Sequence, residues 1–322
     1  TFWNDRGTAK RAYLPRASRH LMPMTLLRCC AVLLATGVAT SVLAQAAPGA
    51  SQKLPRLERI AATNQFVIGH REAAAPFAFF DGEQMPAGYG VDIATAIAGA
   101  VREKLGRPNL PIRFNSLTPV TRFPLVVNGV VDIECGSTTN TLERQRTIMF
   151  SNTIFISVTR IAVPSGSSVR GFDDLAGKRV AVVANTTTEA RVRTLADAGK
   201  LDLKLLPARN NLRAFQALQR GDADAFVAAE ALLAGEIARS DQGAGFRVVG
   251  EPIEREAFAC VMPPNQPEFK ALVDATLARM MASGELARLY DKWFVAPIPP
   301  QQRSLGLPLS PEMRALFAAP ND

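Results

Sequence analysis

The sequence predicts an α/β fold of two lobes, each with a central sheet flanked by helices, joined by two crossing strands. Three observations predict it. Strand and helix patterns alternate in two rounds, the arrangement of parallel sheets covered by helices. A long β-branched run, residues 153–163 (TIFISVTRIAV), separates the rounds, and a second run, residues 255–262 (REAFACVM), leads back. Each round also holds a strand that ends in a hydroxyl-rich turn and a helix start, at residues 134–144 (ECGSTTNTLER) and 185–189 (NTTTE). The expected boundaries are residues 1–44 for an export signal with upstream residues, 45–157 for the first part of lobe 1, 158–255 for lobe 2, and 256–322 for the return to lobe 1 and the C-terminal helices.

Taken in order, Phe66 to Gly69 reads as a first strand, with His70, Arg71 and Glu72 at its end. Residues 87–105 give a turn and then a helix, because Ile93, Ala94, Ile97, Ala98, Val101 and Leu105 recur at helical spacing. Ile112 and Phe114 mark a second strand, and Thr118 to Asn128 a loop and helix that contains Arg122. The apolar run from Asn128 to Ile133 reads as a buried strand feeding the hydroxyl turn. The second round comprises a helix-like 171–176, strand 179–184, helix 189–197, strand 202–206, helix 211–220, strand 224–228 and helix 230–239. Residues 269–294 are amphipathic with a break at Gly284, and a short capped helix starts at Ser310 after a proline-rich loop.

Length and charge narrow the class. A chain of 322 residues is long enough for two domains, and 48% hydrophobic content describes a globular protein. The net charge of +8 resides largely in residues 1–44, whose removal leaves 31 basic against 28 acidic residues. No long basic run remains, so no nucleic-acid partner is expected. The N-terminal stretch reads as an address: Arg28 precedes an apolar run from Cys29 to Leu43, and Val42 and Ala44 are the small residues of a cleavage site. Met22 and Met24 are better starts than Thr1, so residues 1–21 read as upstream sequence. After cleavage near Ala44 the chain is expected to be periplasmic, with only Cys135 and Cys260 remaining. A disulfide and a pair of buried thiols are both consistent with that pair.

The hydroxyl turns carry the chemistry. Asn140 and Glu143 have the spacing of an N-cap with its reciprocal glutamate, as do Thr186 and Glu189. Helix starts attract anions, and Arg144 in the first turn offers the planar fork that matches a carboxylate. Two such turns facing across a cleft would hold one small anion between the lobes. Enzyme chemistry has less to stand on. His70 is the sole histidine after residue 44, no zinc-ligand spacing exists, and Gly88 and Gly90 form no dinucleotide fingerprint, so no metal or cofactor is expected.

These segments carry a specific resemblance. IGHREAAAPFAFFDG, ECGSTTNTLERQR, FSNTIF, the ALLAGE of 231–236, SGELARLYDKWF and IPP make residues 55–322 resemble periplasmic solute-binding proteins of polar amino-acid ABC transporters. The general family signature around Gly88, Tyr89, Val91, Asp92 and Ile93 is present, although Gly90 stands where an acidic residue is usual. The resemblance implies a periplasmic binding protein type II-like fold, a glutamate or aspartate ligand, a permease partner in the inner membrane and a monomer. It further implies that Arg144 with Ser137 and Thr139 holds the α-carboxylate, with Thr138 in the same run. Arg71 and Arg122 would hold a distal carboxylate, and Thr187 would reach in from lobe 2.

Three departures keep the ligand open. Ala229 replaces the aspartate that accepts the α-ammonium, with Glu230 adjacent; Pro119 replaces a serine, and Asn211 a histidine. Unless Glu230 turns in, an ammonium-free dicarboxylate or keto-diacid competes with the amino acid as the expected ligand. An exported dehydratase of the prephenate type on the same fold is the enzyme alternative.

Overall fold

The computed structural model describes residues 55–199 and 202–320, so the export signal read from residues 1–44 lies outside the described residues. Lobe 1 begins with α1 (Arg56–Thr63), β1 (Phe66–Arg71) and a small antiparallel sheet of β2 (Ala73–Ala74), β3 (Ala78–Phe80) and β4 (Pro86–Ala87). It continues through α2 (Tyr89–Lys104), β5 (Ile112–Leu117), α3 (Arg122–Val127), β6 (Ile133–Glu134) and α4 (Leu142–Gln145) into the long β7 (Met149–Pro164). Lobe 2 holds β8 (Lys178–Val183), α5 (Thr187–Asp197), β9 (Leu203–Ala208), α6 (Asn211–Gln219), β10 (Ala225–Ala229), α7 (Glu230–Arg239) and β11 (Phe246–Val249). The return runs through β12 (Arg255–Met262), α8 (Pro267–Ala282), α9 (Glu285–Tyr290), a π turn at Asp291–Val295 and α10 (Pro311–Ala318).

The strands run in the order β5-β1-β6-β12-β7-β10-β8-β9, with β11 beside β7. The strand β7 joins the two lobes by changing partner along its length. Residues Met149 to Val158 pair with β12, whereas Thr159 to Pro164 pair with β10 and β11. Sixteen residues are needed because one strand serves two sheets, and its β-branched run suits both. The alternation of side chains shows in lobe 2: Ile161 and Val163 enter one apolar cluster while Ala162, between them, enters the cluster on the other face. In lobe 1 the larger core gathers Phe77, Tyr89, Phe155, Phe258 and Phe294, with Phe77 and Phe155 meeting edge-on at 4.9 Å. Gly90 is explained by this packing, since a Cβ there would lie 1.9 Å from the Cys135 carbonyl oxygen. The acidic residue usual at that position has no room.

Three local expectations are corrected. The run from Asn128 to Ile133 forms a strand only at Ile133–Glu134. Its first part is a turn, because Gly129 N–H bonds back to the Val126 carbonyl, and Asp132 bonds to Val67 N–H and Arg56. The cap of α4 is Thr141, whose hydroxyl accepts from Arg144 N–H at 3.2 Å, and not Asn140. Asn140 Oδ1 accepts instead from Gln145 Nε2 at 2.8 Å, and its backbone N–H, which a reciprocal glutamate would need, bonds to the Ala257 carbonyl on β12. In the second turn Thr186 caps Glu189 N–H as expected, but the Glu189 carboxylate bonds to Asn185 N–H and not to the cap itself. The helix α1, the small sheet and β11 escaped the sequence because two- to eight-residue elements are too short for periodicity to mark.

Candidate functional site

Parallel sheets bind beyond the carboxyl ends of their strands, and here those ends meet at one cleft. Arg71 closes β1, Ser137 to Thr139 follow β6, and Thr186 to Thr188 follow β8. The residues after β6 do not sit at a helix start as expected: α4 is a single turn of four residues. Instead the segment lies along β12, with Ala259 N–H bonded to the Thr138 carbonyl and Thr139 joined to Phe258 by an isolated antiparallel bridge. Extended backbone sends alternate side chains to opposite faces. Ser137 and Thr139 therefore line the cleft, while Thr138 turns the other way to accept from Arg122 Nη1 at 3.0 Å and donate to Glu134 Oε2 at 2.9 Å.

The cations are deeply set. Arg71 is 3% exposed and donates one Nη1 bond to Ser137 Oγ at 3.1 Å, leaving Nη2 buried with no partner. Burial holds its guanidinium below the usual arginine value, with the Glu134 and Glu236 charges opposing. Arg122 is pushed down to about 9, chiefly by burial and then by the Arg71 charge, which leaves it a cation at neutral pH. It stands one layer behind the cavity wall and stacks on Phe123 at 4.6 Å. Arg144 reaches back to donate to the Thr139 carbonyl at 2.8 Å and lies over the same Phe123 ring, 5.1 Å from its centroid. Arg122, Thr138 and Arg144 thus support the wall, while Arg71, Ser137, Thr139, Thr187 and Asn211 form it.

The two lobes close on each other around this wall. Thr139 and Thr187 hydroxyls lie 3.1 Å apart across the cleft, and both donate to Glu256 Oε1 on β12. Asn211 Nδ2 donates to the Ala73 carbonyl at 2.9 Å, and Arg239 Nη2 to the Phe80 carbonyl at 2.9 Å. Gly235 on α7 lets its helix approach the Ala75 carbonyl, to which a Cβ would come within 2.2 Å. What remains between the lobes is a cavity of about 30 Å³. A single water needs on the order of 10–15 Å³, so a small organic acid enters only when the lobes part.

One expected residue is elsewhere. Glu230 forms an ion pair with Arg160 at 2.5 Å and lines a different cavity, with Ser157, Tyr290 and Glu312. Its position at the first turn of α7, one residue past buried Ala229, points it away from the cleft. Conversely, two glutamates central to the site were overlooked, the fully buried Glu134 and the 4%-exposed Glu256. Glu134 ends the two-residue β6 two positions after Asp132, and Glu256 follows Glu254 and Arg255 at the start of β12, so neither stands out in the sequence as an isolated acid.

The profile of the bacterial extracellular solute-binding proteins, family 3, matches residues 66–296. The chain belongs to that family. The glutamate/aspartate import solute-binding protein of Salmonella typhimurium is 42% identical over 280 residues, covering 87% of this chain and 93% of that one. The L-glutamate/L-aspartate-binding protein of Pseudomonas aeruginosa is 38% identical over 292 residues, covering 90% and 96%. A solved mutant of ArgBP from T. maritima shares the fold, with a TM-score of 0.66 at 23% identity over 74% of this chain and 98% of that one. This family 3 chain has the periplasmic binding protein type II-like architecture and is a solute-binding protein, not an enzyme, as its sequence relatives are by name. His70 is engaged with Ser116 and the rings of Phe80 and Phe114, apart from the cavity wall.

Proposed function

We propose that this chain, exported and cleaved near Ala44, acts as a periplasmic monomer that binds an acidic amino acid, glutamate or aspartate, between its lobes and delivers it to an ABC-transporter permease. The observation that carries the reading is Arg71 Nη2, a buried cationic donor with no partner on the wall of the inter-lobe cavity. Such a donor is costly unless a ligand acceptor completes it, and a carboxylate does so with the strongest kind of hydrogen bond. Arg71 on the wall, with Arg122 and Arg144 behind it, gives this side of the cavity cations that attract an anionic ligand. The names of the two sequence relatives agree, and they lend nothing to the dehydratase alternative.

An ammonium-free diacid is the second reading, favoured by Ala229 and by the commitment of Glu230 to Arg160. In either case the lobes open about β7 and β12 and the ligand bridges them on closing. Titration calorimetry with L-glutamate, L-aspartate and L-glutamine tests the acidic-ligand reading. The two acids should bind, and glutamine roughly tenfold or more weakly, because it leaves a buried guanidinium without its counter-charge. Equal binding of glutamine defeats it.

A further inference from the structure

An α-amino acid carries its ammonium and its carboxylate on one carbon. An acceptor for the first must therefore stand beside the donors for the second. In this cleft the hydroxyls of Thr139 and Thr187, one from each lobe, both donate to Glu256, and they are freed to donate to an α-carboxylate once an incoming ammonium takes their place on the Glu256 carboxylate. Its carboxylate is the one acidic group on the cavity wall among the described residues. Glu256 is 4% exposed and held by β12, where it pairs with Ser157 of β7. Neither position nearer the expected acceptor can serve, since Ala229 is apolar and Glu230 is held by Arg160 facing another cavity.

We propose that Glu256 receives the ligand's α-ammonium and sets a preference for amino diacids over plain diacids. The proposal rests on the acidic-ligand reading above and names the residue that gives it specificity. A cation in a closed cleft needs a charged acceptor, and a fixed carboxylate at that spot repels a ligand that brings only negative charge. Placement on a crossing strand adds a consequence. Glu256 belongs to the hinge that both lobes share, so it meets the ammonium before closure, whereas Thr187 joins only as lobe 2 swings in.

Calorimetry with L-glutamate and glutarate on the parent protein and on Glu256→Gln tests this. Glutamine keeps an oxygen that accepts from Thr139 and Thr187 but carries no charge, so the inter-lobe contact survives while the ammonium acceptor is lost. The parent should prefer glutamate, and Glu256→Gln should lose roughly 30-fold or more of its glutamate affinity while holding or gaining glutarate affinity. Equal losses for both ligands would show that Glu256 only shapes the cleft. Equal gains would show that it competes with the ligand for the two hydroxyls, and no change would show that it is idle; each of these overturns the proposal. A parent that prefers glutarate overturns it without any variant, which covers the case of a variant that does not fold. A parent that binds neither acid removes the acidic-ligand reading and the proposal together. Firm parent binding of glutamate with an indifferent Glu256→Gln removes the proposal alone.

Discussion

Arg71 and Arg122 lie within one buried group of charges yet are expected to behave differently on removal. Arg71 has a free donor on the cavity wall, so Arg71→Ala should weaken glutamate binding by about 2–5 kcal/mol. Arg122 faces inward, held between Thr138 and the Glu134 charge with its ring partner Phe123. Removing it leaves a buried carboxylate short of a counter-charge, and Arg122→Ala should cost roughly 3–5 kcal/mol of stability in urea titrations as well as binding. If Arg122→Ala melts like the parent and only binding suffers, the guanidinium faces the ligand directly. Arg71 closes β1 and Arg122 opens α3, and the side chains of both are buried.

The segment after β6 shows how an element can be dictated from far away. Residues 137–140 have the composition of a helix start, but backbone bonds to Ala257 and Ala259 hold them extended along β12. The bond between Cys135 and Cys260 joins the same two pieces of chain, 125 residues apart. A crosslink closing so long a loop restricts the unfolded chain, and its removal typically costs about 2–5 kcal/mol. Cys135→Ala with Cys260→Ala should lower stability by that amount in denaturant titrations. It should also weaken glutamate binding, because Ser137 and Thr139 lose an anchor of the segment that aims them. A double variant with parental affinity would show that the β12 hydrogen bonds alone suffice.

At the scale of the whole molecule, the closed arrangement buries Glu236 of α7 where lobe 2 meets lobe 1. Burial pushes its carboxyl up to about 7, with the cations Arg239 and Arg71 opposing. An acid whose pKa is raised by folding contributes stability that is full below its ordinary value of 4.5 and is lost as pH rises through about 7. His70 acts in the opposite sense. Burial lowers its pKa, so its contribution falls as pH drops through the ordinary histidine value of 6.5. The parent's melting curve against pH combines the two, and the difference between parent and Glu236→Gln isolates the first. The variant should gain on the parent as pH rises from 5 to 8; parallel curves over that span would show that Glu236 stays ionised in the closed form.

The sequence by itself determined the alternation of strands and helices, the two crossing runs, the hydroxyl-rich turns and the placing of Arg71 at a strand end. All of these depend on spacing along a few neighbouring residues, where periodicity and turn chemistry act directly. Tertiary structure alone decided which way each side chain in the site faces. Thr138 points from the cleft because its neighbours were drafted onto β12, Arg144 spends a donor on the Thr139 carbonyl, and Glu230 is taken by Arg160, 70 residues earlier. Glu256, 117 residues from Thr139 and 69 from Thr187, stands beside both only because β7 and β12 cross between the lobes together. Pairings over such separations are fixed by the packing of whole sheets, and no local pattern in the chain records them.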